Sequence, residues 1–374
     1  MNTIATFLEN HKDDMLADLQ ALVAKQSPSH NKLSVDACGN FLCDLFQQRL
    51  GIGFEKFEQT LVGDNILFKI GEGNHRSLLM GHFDTVWDID RLGTRIEDGK
   101  FYGPGAFDMK AGIIQGIWAL KALKENGALN EREIWFLCTS DEEISSPHSR
   151  QLIEEIAKQC DDVFVLEPSE EGSGNLKIAR KGVGTFIMKI YGKAAHSGNN
   201  PLGGISAAEE MAHQILWINS LQDMTRGTSV NVCIAMSGNR INVIPDFAEI
   251  SIDVRVTNME EAKRIHNQLY ACKAHLTGTK VEISGGLNRP PMEQNDGNKK
   301  LFDIAQKAAN NLNMVIGGSV VGGGSDGNFT SALNIPTLDG LGAEGGGPHA
   351  EYEHVIIDTL SKRAALLAEI LKNC

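Results

Sequence analysis

The 374-residue sequence has no CxxC pair, no apolar run of membrane-spanning length and no surplus of basic residues. Each absence narrows the field. The seven cysteines, Cys38, Cys43, Cys138, Cys160, Cys233, Cys272 and Cys374, are scattered and odd in number, which points to reduced thiols in a cytoplasmic protein. Lys and Arg total 35 against 48 Asp and Glu, and the net charge of −13 argues against a nucleic-acid-binding surface, which would be basic. The start, MNTIATFLENHKDDM, has no basic region followed by a long apolar one, so no signal peptide is expected, and no membrane span either. What is present is ordinary for a soluble globular enzyme: 42% hydrophobic and 22% charged residues, in a chain long enough for two domains.

Helical periodicity covers Asn2 to Ala24 and Val35 to Arg49, after which apolar strands alternate with helices. "NILFKI", "SLLMGHFD", "IWFLCTSD" and "DVFVLEP" read as strands. "MKAGIIQGIWALKALKENG" reads as a helix ending at Gly127, and Ser149 to Cys160 as another. The alternation predicts an α/β domain with helices over a mostly parallel sheet. The middle changes character. From about Arg180 to Leu287 the order is strand, helix, strand, strand, helix, strand, the ferredoxin-like βαββαβ unit, as an inserted domain. The expected division is therefore 1–179 with 288–374, and 180–287. The last helix is expected at about Asp358 to Leu371, and the Gly-rich "GGSVVGGGSDGN" reads as turns around a site.

Several strands end in potential ligands. "LLMGHFDTV" sets His82 and Asp84 two residues apart, on one side of an extended chain. "GPGAFDMKAG" puts Asp108 at a turn before a helix, where a carboxylate is tolerated. "IWFLCTSDEE" stops in Asp141, Glu142 and Glu143, and "VFVLEP" supplies Glu167. Taken singly, each has a plain structural explanation: a core histidine, a helix cap, a solvated loop. Taken together they crowd the carboxyl ends of the strands, where open α/β sheets form their sites. Such a cluster would be strongly anionic, and a divalent cation would offset the repulsion. Mixed His and carboxylate ligands suit Zn²⁺, with Mn²⁺ or Co²⁺ also compatible. A second metal would need a second histidine. His349 in "GAEGGGPHAEYEH" follows a glycine run free to bring a ligand close, with His354 and His148 as competitors.

In that order, "HFDTV", "GPGAFDMKAG", "SDEE", "LEP" and "GPHAEYEH" resemble the dizinc exopeptidases and deacylases, a family that includes bacterial glutamate carboxypeptidase, aminoacylase, acetylornithine deacetylase and succinyl-diaminopimelate desuccinylase. The resemblance spans nearly the whole chain. It implies a zinc-exopeptidase-like sheet with helices on both faces and an inserted ferredoxin-like lid that also dimerises. It implies two zinc ions per chain: one on His82, Asp108 and Glu167, the other on Asp108, Glu143 and His349, with Asp108 bridging. Asp84 would orient His82, and Glu142 would be the general base. "YGKAAHSGNNP" is similar to the family segment whose histidine, here His196, reaches a partner subunit's active site. Asn242 and Arg289 match lid positions that hold the substrate carboxylate, a task suited to an Arg fork. Arg255 reads as structural. Two departures, Met109 where some relatives carry Asp and a missing glycine in "EEISSPHSR", reshape the pocket rim without removing a ligand.

The expected activity is zinc-dependent hydrolysis of peptide or N-acyl amide bonds, releasing a C-terminal amino acid. "DTVWDIDRLG" and "YGPGAFDMKAG" are more similar to glutamate carboxypeptidase than to desuccinylases. N-acyl amino-acid deacylation is the alternative of the same bond type, and a non-catalytic binding protein the alternative of another class. A nucleotide site at "GGGSDG" is weak, because no Gly-Lys-Ser/Thr follows.

Overall fold

The computed structural model of the chain describes residues 3–129 and 132–374. Two compact units separate: Met1–Ala179, Gln294–Val320 and Ser325–Cys374 form the first, Arg180–Glu293 and Val321–Gly324 the second. All seven cysteines are free thiols. Among the described residues no helix is long and apolar enough to cross a membrane.

The first unit is built on a six-stranded sheet in the order Phe54–Phe57, Asn65–Ile70, Arg132–Thr139, His75–His82, Asp162–Val165, Thr337–Leu338. The last four run parallel, and the first two are antiparallel additions at one edge. Successive side chains leave the sheet on opposite faces. Leu79, Phe136 and Phe164 are in register and join the core that includes Ile113, Ile117 and Trp118. Leu78, Met80, Leu137 and Val165 join the other core, with Ile153, Ile156 and Phe329. Helices therefore cover both faces, as parallel strands require. Each such leucine or phenylalanine stabilises the fold by roughly 1.5–3 kcal/mol through burial.

Helix Ala111–Glu125 can lie close against the sheet because of its glycines. A Cβ at Gly112 would meet the Leu166 carbonyl oxygen at 2.0 Å, and one at Gly116 would meet Phe136 at 2.6 Å. The helix begins later than its periodicity suggests. Ala106–Lys110 form a wide turn in which Asp108 and Met109 are non-helical, and the peptide joining those two is cis. The first helical stretch is also interrupted. Thr3–Asn10 and Lys12–Val23 are separate helices, because the His11 ring takes the Phe7 carbonyl at 2.8 Å while the His11 N–H bonds Leu8. The expected start at Asn2 lies outside the described residues.

The second unit holds a four-stranded antiparallel sheet in the order Ser229–Ser237, Phe247–Val256, Gly182–Tyr191, Lys280–Arg289. Helices Ala207–Ser220 and Met259–Tyr270 complete the βαββαβ order. Each helix carries a side-chain N-cap. Ser206 accepts from the Glu209 N–H at 3.2 Å, and Asn258 from the Glu261 N–H at 2.9 Å. Phe186, Met188, Ile190, Ile250, Ile252 and Ile265 are among its core residues. A separate two-stranded ribbon, Ala195–His196 with Val243–Ile244, lies beyond the βαββαβ pattern.

Candidate metal centre

Three neighbouring parallel strands deliver the site. His82 ends its strand opposite Thr139, so the chain leading to Glu142 and Glu143 departs beside it. On the other side Val165 lies opposite Met80, and Glu167 follows two residues later. His82 Nε2 is 3.6 Å from Glu167 Oε1 and 4.0 Å from Glu142 Oε2. The turn before helix Ala111–Glu125 brings in Asp108, whose Oδ1 lies 3.3 Å from His82 Nε2. The other oxygen, Oδ2, is 3.4 Å from His349 Nε2, and Glu143 Oε2 is 3.0 Å from that same nitrogen. One carboxylate thus faces two imidazoles. His349 sits at φ 60°, a left-handed conformation uncommon for a residue with a side chain, just after the Gly347–Pro348 bend.

Asp84 is fully buried and organises two of these elements. Its oxygens accept from the Glu142 and Glu143 N–H groups, each at 3.2 Å, and from the Ser29 hydroxyl at 2.7 Å. His82 Nδ1 lies 3.4 Å from Asp84 Oδ1 and 3.1 Å from the Asp84 carbonyl. Acceptors on that side hold a proton on Nδ1 and turn Nε2 toward Asp108 and Glu167.

The pocket demands positive charge. Burial opposes a charge on His82, yet hydrogen bonds to Asp108, Asp84 and Glu167 outweigh it and raise the imidazole pKa well above its usual value. His349 is raised to about 11 by Asp108 and Glu143. Burial pushes Glu143 up to about 7 against the opposing pull of His349, while the two histidines outweigh burial at Asp108 and hold it well below the carboxylate range. Two groups, His82–Asp108–Glu143 and His82–Glu142–Glu167, bring ligand atoms within 4.8 Å of one another. Imidazole nitrogens mixed with carboxylate oxygens at this spacing fit divalent cations of the zinc type.

Other residues depart from, or add to, the sequence reading. Asp141, given no role in the sequence reading, is fully buried and accepts from the His148 and Ser149 N–H groups at 2.8 and 3.2 Å. His148 therefore meets the neighbouring turn through its backbone. The competing His354 turns Nδ1 to the Tyr352 carbonyl at 2.9 Å and lies against Tyr102. Glu353 was not singled out, although its buried carboxylate binds the turn that carries Asp108. His196, Asn242 and Arg289 belong to the second unit. There His196 is exposed and its Nδ1 accepts from the Gly198 and Asn199 N–H groups, both at 3.1 Å, so the ring proton sits on the outward Nε2. The Ser197 N–H donates to the Asn242 carbonyl at 3.0 Å across the short ribbon. Arg289, at the end of its strand, is only 4% exposed. Arg255 forks onto Asp253, with contacts of 2.9–3.2 Å.

A family model described as peptidase family M20/M25/M40 matches residues 78–373. Carboxypeptidase G2 of Pseudomonas sp. (strain RS-16) is 32% identical over 370 residues, 96% of this chain and 89% of its own. A succinyl-diaminopimelate desuccinylase of Acinetobacter baumannii (strain SDF) is 27% identical, over 97% of this chain and 99% of its own. Among solved structures, a tripeptidase of Staphylococcus aureus subsp. aureus Mu50 shares the fold with a TM-score of 0.83 at 24% identity, covering 96% of this chain and 98% of its own. A Bacillus subtilis structure described as a dinuclear metal-binding peptidase shares it with a TM-score of 0.70 at 16% identity, covering 97% and 98%.

Proposed function

Because the chain belongs to peptidase family M20/M25/M40 and is a metallohydrolase, we propose that it cleaves peptide or N-acyl amide bonds in small substrates and releases a C-terminal amino acid. The observation that carries this reading is Asp108, with one oxygen toward His82 and the other toward His349. That is the arrangement a bridging carboxylate needs. His82, Asp108 and Glu167 would hold one zinc ion and Asp108, Glu143 and His349 a second, and cobalt or manganese would suit the same ligands. When bound, such a pair supplies Lewis-acid polarisation of the scissile carbonyl and a lowered pKa for the attacking water.

The chain's own residues do the rest. Asp84 keeps the proton of His82 on Nδ1 and fixes the Glu142–Glu143 turn through their N–H groups. Glu142 takes the proton of the attacking water and passes it to the leaving nitrogen. His196, with its Nε2–H directed outward, donates to the developing oxyanion. Arg289 and Asn242 hold the free carboxylate of the substrate.

We further propose that the inserted segment of about residues 180–287, the main part of the second unit, serves as lid and dimerisation domain, and that His196 acts in the site of a second copy. Mixing inactive Glu142→Ala with inactive His196→Ala subunits restores activity if it acts in trans. No restored activity, or an active monomeric wild type, removes that part. The 32% identity to a carboxypeptidase supports release of a C-terminal amino acid as the first reading. The desuccinylase relatives favour N-acyl amino-acid deacylation as the second reading. A panel of dipeptides and N-acyl amino acids assayed with zinc separates the two. Turnover of acylated amino acids alone would reverse their order, and turnover of neither class would remove both readings.

A further inference from the structure

Four N–H groups point at one buried carboxylate. Glu353 Oε1 accepts from the backbone N–H of Phe107 at 2.9 Å and of Asp108 at 3.0 Å. Its Oε2 accepts from the Gly105 N–H at 3.1 Å and the Trp87 indole at 2.7 Å. An ionised carboxylate can accept from all four at once. The N–H groups of Gly105, Phe107 and Asp108 can converge because this stretch is not yet helix: Gly105 has φ 68° and Asp108 has φ −112°, ψ 95°. Successive N–H groups gathered on one anion form a nest, here with its anion supplied by the chain itself.

Asp108 donates its own N–H to this carboxylate, so Glu353 holds the peptide from which the bridging side chain projects. Glu353 also follows His349 by four residues, just before the strand His354–Ile356 pairs with Lys100–Tyr102. One side chain therefore ties the loop that carries His349 to the turn that carries Asp108. We propose that Glu353 is a positioning residue that sets the spacing of the two metal positions, and that what it controls is metal affinity. This rests on the two-metal reading above. The Trp87 indole extends the same brace to the segment after His82 and Asp84.

The test is Glu353→Gln in the full chain, with zinc binding measured by competition against a chromophoric chelator and with the visible spectrum of the cobalt-loaded protein. Glutamine keeps the shape but turns one acceptor oxygen into a donor that faces other donors. Wild type is expected to take up two ions per chain. Glu353→Gln is expected to bind the weaker ion about 10–100-fold less tightly, the range typical for residues that orient ligands, and to change the cobalt spectrum. With metal saturating, KM is expected to stay close to wild type. Trp87→Phe removes one of the four donors and leaves the carboxylate in place, so it should weaken metal binding in the same direction by less. It also decides the question if Glu353→Gln does not fold. Unchanged zinc affinity and an unchanged cobalt spectrum, in Glu353→Gln if it folds or otherwise in Trp87→Phe, overturn the proposal even if thermal stability drops. Failure of wild type to bind zinc or cobalt would instead remove the two-metal reading on which it rests.

Discussion

In the six-stranded sheet the strands His75–His82 and Arg132–Thr139 are buried throughout their last six residues, whereas in the four-stranded sheet Gly182–Tyr191 buries only every second side chain. The two sheets consequently handle charge by different rules. On the outward face of the second sheet a charge needs no built partner. Lys189 lies on the outward face between Glu249 and Glu282 on the neighbouring strands, all within reach of solvent. Along the central parallel strands of the first, both faces are covered, so ionisable groups appear only where those strands end, and there each must be satisfied by another group. Asp84 shows the rule: fully buried, it accepts from two backbone N–H groups and a hydroxyl. The contrast teaches that a carboxylate in the second sheet is explained by solvation, while one at the end of the first calls for a partner or a cation.

Substitutions in the two sheets sharpen that comparison. Leu79→Ala, in the centre of the covered sheet, is expected to cost about 2–5 kcal/mol of stability, read from denaturant unfolding. At the end of the same sheet, Glu142→Ala should slow turnover about a hundredfold or more, a barrier change of roughly 2.7 kcal/mol, while metal content stays near wild type. Glu143→Ala should instead release metal, and exchanged phenotypes would reverse their roles. In the second unit, Arg289→Ala should weaken substrates with a free α-carboxylate by about 1.5–3 kcal/mol relative to amidated ones, seen in kcat/KM. Equal losses would take Arg289 out of carboxylate recognition. Smallest of all, Lys189→Ala should change stability by no more than about 0.5 kcal/mol. A loss comparable to that of Leu79→Ala would break the distinction between the two sheets.

Much of this was legible because burial leaves a pattern. The alternation in "TFIMKIY" and "AEISIDVRV" marks half-buried strands, and the unbroken apolar runs before His82 and Asp141 mark strands covered on both sides. Adjacent carboxylates at the end of such a run are costly in any other setting, which is why His82, Glu142, Glu143 and Glu167 stood out. Residues whose importance comes from backbone partners leave no such trace. Glu353 receives N–H groups from residues more than two hundred positions earlier, and nothing in "AEYEH" announces them. Asp141 drew no role because its acceptor function depends on how the chain folds back at His148 and Ser149. The ribbon that carries His196 has strands of two residues, too short for alternation to register. The break at His11 depends on one ring nitrogen competing for a helix carbonyl.

The central claim is that Asp108 stands between two metal positions. Elemental analysis of protein purified without chelator tests it most directly, paired with activity before and after metal removal. The account predicts up to two divalent ions per chain, hydrolysis lost on stripping and recovered with zinc, and a higher thermal midpoint with metal, since a ligand at a hundred times its Kd adds about 2.7 kcal/mol to the folded state. Full activity in metal-free protein would contradict it.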